Sequence, residues 1–167
     1  MKIFLDTSAY VKIFKRECGS SLIKKIIKLA QANKIQLYFS VWALNESIAA
    51  IDKSCHQKNQ ITLQRKNKII ATILHETLIY TKFQNITFVT LDFNVVKESH
   101  ILIIEHHISA DDALHLFTAY SEHCDHFVCS DKHLTKQTKD KMGTLKIWSI
   151  DNQKEIRKLS KYLARTT

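Results

Sequence analysis

Five short apolar runs constrain this chain most: KIFL at 2–5, IQLYFSV at 35–41, ITFVTL at 86–91, HFVC at 126–129 and LKIWS at 145–149. Each has the length and the β-branched or aromatic content of a strand, and each is close to continuously apolar, as strands covered on both faces are. Between them lie stretches in which apolar residues recur every three or four positions. Strands that alternate with helices are joined by crossovers, so the expected class is α/β with a parallel sheet covered on both faces.

The first helix is expected after KIFL, where Asp6-Thr7-Ser8 has the chemistry of an N-cap. A second begins near Ser20, with Leu22, Ile23, Ile26, Ile27 and Ala30 on one face and Lys24, Lys25 and Lys28 on the other. Ala43 to Ile51 reads as a helix carrying Glu46, and about Gln60 to Phe83 as one long helix or a helical pair with a basic start, Lys58, Arg65, Lys66 and Lys68. Further helices are expected from Asp92 to about His106, from Asp111 to about His123, and as a basic tail from Asn152 to Arg165. With 167 residues, two Gly, no Pro and no internal repeat, the chain is expected to form a single domain over 1–167.

The opening MKIFLD is too short for a secretory apolar core, and no apolar stretch approaches the roughly 20 residues of a membrane span. The expectation is a cytoplasmic protein with no membrane contact. Cys18, Cys55, Cys124 and Cys129 are scattered, which suits free thiols in a reducing compartment. Cys124 and Cys129 lie near His123, His126 and His133, but structural zinc uses two tightly spaced ligand pairs, so buried cysteine is the preferred reading. The net charge of +9 favours a polyanionic partner. Lysines on solvated helix faces would give the same charge, so the acids have to decide.

Ligands of an open parallel sheet bind beyond the carboxyl ends of its strands. Asp6 directly follows the first strand, Glu46 comes shortly after the second, Asp92 follows the third, and Asp131 closes the fourth with only Ser130 between. Asp111 and Asp112 begin the helix before that fourth strand. Converging carboxylates raise one another's pKa unless a cation offsets them, and oxygen ligands suit Mg²⁺ or Mn²⁺, which can activate water for phosphodiester hydrolysis. Taken singly, Asp6, Asp92 and Asp111 read as N-caps and Asp131 as a turn residue. Glu46 differs, because in the apolar segment WALNESIAAI an unpaired carboxylate is costly.

The segments MKIFLDTSAYVK, LNES, DDALHLFTA and FVCSDKHL, in that order, resemble the PIN-domain family, and most of all the VapC ribonuclease toxin of VapBC toxin–antitoxin modules. The resemblance implies a three-layer α/β/α sandwich and a magnesium-dependent endoribonuclease. Asp6, Glu46, Asp112 and Asp131 would be the catalytic acids that bind Mg²⁺ (or Mn²⁺), with Thr7, Ser8 and Ser130 as supporting hydroxyls. It also implies an RNA substrate, a cognate antitoxin and a homodimer, with the amphipathic helices of the N-terminal third as contact surfaces. Consecutive helical residues point about 100° apart, so of Asp111 and Asp112 one faces the metal, and Asp112 is chosen. Cys129 stands where the family often has Thr, which leaves the supporting hydrogen bonds there open. His115 is read as a packing residue, and Lys12, Lys15, Arg16 and Lys132 as solvated lysines and arginine. The rival functions are a PIN nuclease of RNA processing or DNA repair without an antitoxin, and a non-catalytic RNA-binding module, against which the presence of all four acids counts.

Overall fold

The five apolar runs form strands β1 (Lys2–Leu5), β2 (Gln36–Ser40), β3 (Ile86–Val89), β4 (His126–Cys129) and β5 (Lys146–Ser149). All pair in parallel, in the order β3-β2-β1-β4-β5. This computed structural model describes residues 1–58, 62–138 and 141–165, with backbone alone for 54–58. The helices are α1 (Thr7–Tyr10), continued by a 3₁₀ turn at Val11–Ile13, α2 (Ser20–Gln31), α3 (Trp42–Lys58), α4 (Leu63–Tyr80), α5 (Phe93–His106), α6 (Ala110–Ser121), α7 (Lys132–Thr138) and α8 (Gln153–Ala164).

Successive strand side chains point to opposite faces, and the buried residues divide accordingly. On one face Ile3, Leu5, Leu37, Phe39 and Val128 pack with Tyr10, with Leu22, Ile23, Ile26 and Ile27 of α2, with Ile51, Ile73 and Tyr80, and with Leu159 and Leu163 of α8. On the other, Phe4, Tyr38, Phe127 and Cys129 pack against Leu102 of α5, Ala113, Leu116 and Ala119 of α6, and Leu134 of α7. This is the expected three-layer α/β/α arrangement. Burying each large aliphatic side chain contributes about 1.5–3 kcal/mol, so the two cores hold the sheet edge rigid beneath whatever is mounted on it.

Some boundaries differ from the sequence reading. The helix from Ala43 runs on to Lys58, and Thr62 caps α4 by accepting from the Arg65 amide at 3.3 Å. The start of the expected helix at Gln60 and Ile61 lies outside the described residues. α6 begins at Ala110 rather than at Asp111, because Ser109 is its N-cap. α7 was not expected, since in KHLTKQT only Leu134 is a large apolar residue to mark a buried face. No helix among the described residues is long and apolar enough to cross a membrane.

His126 of β4 is buried beneath β5 and α8. Trp148 donates its Nε1–H to His126 Nδ1 at 3.1 Å, and the Tyr162 ring stands edge-on with centroids 4.8 Å apart. An indole N–H only donates, so Nδ1 has to be unprotonated. Burial drives the pKa of this histidine from 6.5 down to about 4. A histidine depressed in the folded state contributes stability that is complete above the unfolded value of 6.5 and is lost as pH falls toward the folded value of about 4. Urea unfolding followed by Trp fluorescence should show the wild type losing about 2 kcal/mol more than His126→Phe between pH 7 and pH 4. Parallel pH profiles for the two proteins would refute this reading of His126.

Candidate active site

The chain builds from β1 outward to β2 and β3, then crosses back to place β4 and β5 on the other side of β1. The reversal leaves a crevice at the carboxyl ends of β1 and β4. Asp6 and Asp131 follow those two strands. Asp6 is 4% exposed, and its amide continues the ladder by donating to Val128 O at 3.0 Å. Its carboxylate caps α1, accepting from the Ser8 amide at 3.1 Å and the Ser8 hydroxyl at 2.6 Å. Ser8 Oγ in turn accepts from the Ser130 amide at 2.8 Å, so Asp6, Ser8 and Ser130 form one chain of bonds across the β1–β4 junction.

Glu46 reaches the crevice from α3. Its Oε2 accepts from the Thr7 hydroxyl and lies 2.5 Å from His115 Nε2. Asp112 arrives on the first turn of α6, which ends near the amino edge of the sheet, where Lys2 Nζ donates to Glu122 O at 3.0 Å. Ser109 and Asp112 form a reciprocal cap: the Asp112 amide donates to Ser109 Oγ at 3.1 Å, and the Ser109 hydroxyl donates to Asp112 Oδ2 at 2.6 Å. Asp6, Thr7, Ser8, Glu46, Asp112, His115 and Ser130 thus line one cavity of about 570 Å³.

Asp131 stands slightly apart. It does not line that cavity, and its Oδ1 accepts from the amides of His133 (2.6 Å) and Leu134 (3.2 Å) at the start of α7. Its charge is nevertheless felt at Asp112, whose carboxyl pKa is raised by burial and by the negative charges of Asp6 and Asp131, against the lowering bond from Ser109. Asp111 also lines the cavity but is exposed and caps nothing, so the N-cap reading of that residue fails. For Asp92 the N-cap reading holds: it accepts from the Val95 amide at 2.9 Å and takes no part in the cavity. Cys129 is buried, with its Sγ 3.5 Å from Asp131 O and 3.6 Å from Thr135 Oγ1, so it supplies weak bonds at the place where Thr was expected.

Two residues depart from their sequence readings. His115 is 1% exposed and packs on Phe4, yet its Nε2 also lies 3.0 Å from Thr7 Oγ1 and 3.9 Å from Asp6 Oδ1. It is a packing residue and a site residue at once. Burial alone would lower its pKa, but the bond to Glu46 and the charges of Asp6, Glu46 and Asp112 raise it. For Glu46, burial raises the pKa and the bonds from His115 and Thr7 more than offset this, so the carboxyl stays lowered. Lys12 is not solvated: at 4% exposure it lines the cavity, its ammonium 2.9 Å from Asp151 Oδ1 and 3.3 Å from Glu17 Oε1. It ties the 3₁₀ turn to the loop after β5. Lys15, Arg16 and Lys132 are exposed, as read.

In donor chemistry the cavity fits a hard divalent cation, since it gathers carboxylate oxygens, and burial together with the neighbouring negative charges raises the Asp112 pKa. Among the described residues, no three His, Cys, Asp or Glu side chains already stand grouped around one ion position. Asp6, Glu46 and Asp131 each give one oxygen, Oδ2, Oε2 and Oδ1 respectively, to donors of the protein itself.

A scan against protein families matches the PIN domain over residues 3–140. Among solved structures, PAE2754 from Pyrobaculum aerophilum superposes with a TM-score of 0.60 at 17% identity, covering 99% of each chain. VapC20 of Mycobacterium tuberculosis, described as a Sarcin-Ricin loop cleaving toxin, gives 0.59 at 12% identity over 80% of this chain and 93% of its own. VapBC2 from Rickettsia felis, bound to a DNA fragment from its promoter, gives 0.59 at 13% identity over 89% and 98%. At these identities the likeness is one of fold. A search of curated proteins finds no significant match.

His115 and Glu46, 2.5 Å apart, each push the other's pKa toward its charged form against burial. In a ¹H NMR titration in EDTA, Glu46→Gln should lower the His115 pKa by at least about one pH unit. An unchanged value would break the pairing.

Proposed function

The chain belongs to the PIN-domain family, and from that premise we propose that it is a metal-dependent endoribonuclease, working in the cytoplasm as the toxin of a toxin–antitoxin module. The observation that carries the reading is the convergence of Asp6, Glu46 and Asp112, drawn from three distant segments, on one cavity at the β1–β4 crossover, with Asp131 close enough to perturb Asp112.

Asp6, Glu46, Asp112 and Asp131 would hold Mg²⁺ or Mn²⁺. Such an ion, when bound, activates a water and offsets charge on the leaving oxygen of a phosphodiester. The protein's own residues prepare for this. Ser8 and Ser130 fix Asp6 relative to both strands, and Ser109 fixes Asp112. Thr7 holds Glu46. No side chain is needed as nucleophile. The net charge of +9 raises the local concentration of RNA, while the acidic cavity admits its phosphates only with cations present.

The antitoxin and the homodimer belong to this proposal. VapBC2 is a neighbour in fold, and the surface offers matching apolar ground. α2 buries Leu22, Ile23, Ile26 and Ile27 in its own core, so its apolar face is not free to serve as the outer contact. A groove between α2 and α4, lined by Ile13, Phe14, Ile69 and Ile79, is instead the surface that suits a partner helix. Phe93, Val96 and Ile104 of α5 are exposed and suit a second copy.

Cleavage of a structured RNA pool in Mg²⁺ or Mn²⁺, absent in EDTA and reduced at least about 100-fold in Asp6→Asn, is the expected result. Equal cleavage by wild type and Asp6→Asn would assign the activity to a contaminant and return the chain to the RNA-binding class.

A further inference from the structure

Glu46 Oε2 receives two hydrogen bonds from two distant parts of the chain, the Thr7 hydroxyl after β1 and the His115 imidazole on α6. Among the described residues no hydrogen bond reaches Oε1. His115 Nδ1 is buried and has no partner among the described residues. Nε2, by contrast, lies 2.5 Å from a carboxylate oxygen, which only accepts. The proton belongs on Nε2, so His115 is a donor to Glu46 and has no lone pair on that side to offer an ion.

The packing fixes this donor in place. The ring lies against Phe4 with centroids 6.2 Å apart at 50°, and α6 is itself pinned by Ala113, Leu116 and Ala119 in the core. The same nitrogen stands 3.9 Å from Asp6 Oδ1, midway among groups delivered by β1, α3 and α6.

We propose that His115 is a positioning residue: by saturating Oε2 of Glu46 together with Thr7, it orients the carboxylate so that Oε1 is the oxygen presented to a divalent cation in the cavity. This rests on the metal-dependent reading of the site. A histidine that served only to fill the core would be replaceable by phenylalanine without effect on ion binding, and that difference makes the inference testable. Partners that orient a ligating group typically govern metal affinity by about 10–100-fold.

The experiment is direct Mn²⁺ binding, measured by electron paramagnetic resonance of the free ion, on wild type, His115→Phe and His115→Gln, with thermal unfolding of each. His115→Phe should bind Mn²⁺ about 10- to 100-fold more weakly, and His115→Gln, whose amide reaches as far as Nε2, should stay within about threefold of wild type. His115→Asn is too short to reach Glu46 and should match the Phe variant, which keeps the test open if phenylalanine impairs folding. Wild-type affinity in a folded Phe or Asn variant overturns the proposal alone, as do equal losses in Asn and Gln. A wild type that binds no Mn²⁺ overturns the metal-dependent reading and this inference with it.

Discussion

Like charges crowded at one edge of a sheet repel, and this constraint governs how the molecule is assembled around its crevice. Asp6, Glu46, Asp111 and Asp112, with Glu17 and Asp151 at the rim, line the cavity, while Lys12 and Lys15 are the lysines that face them. Four of the acids at this edge are stabilised by neighbouring donors. Asp6 takes an amide and a hydroxyl from the turn that follows it, Asp112 is locked to Ser109, Asp131 accepts from the first amides of α7, and Glu46 is paired with His115. A parallel sheet makes this possible, because the amino ends of helices gather at the same edge as the carboxyl ends of strands and bring unpaired amides with them.

Lys12 serves the same end. An ammonium buried to this degree is costly unless it is paired, and here two carboxylates share it. Both acids line the cavity, so the pairing removes positive charge from view and leaves the crevice acidic. A surface rich in Lys thus surrounds a site that has a deficit of cations.

Much of this was legible in the amino-acid order. The strands were visible because each is a short apolar run, and Asp6 and Asp131 because they stand within two residues of the ends of two strands that prove to be neighbours. Glu46 was visible as a charge in apolar surroundings. Three features were hidden for physical reasons. α7 carries one large apolar side chain and is held by threonine hydroxyls bonding back to the preceding turn, a pattern with no hydrophobic period. Sequence alone favours packing for His115 and solvation for Lys12, and only the tertiary positions of Glu46, Glu17 and Asp151 give each its other role. The start of α6 was misplaced by one residue because Ser109 and Asp111 both offer a capping side chain. The reciprocal bond with Asp112 favours Ser109.

The bond between Ser8 and Ser130 joins positions 122 residues apart, and it closes on the central strand of the sheet. One edge of β1 pairs with β2, about 30 residues on in the chain, and its other edge with the far more distant β4. Contacts of such high sequence separation form late and slowly, so the seat of Asp6 is completed after the local helices and turns around it. The crevice is therefore a property of the closed sheet and of no local segment, since it exists only where β4 has docked beside β1.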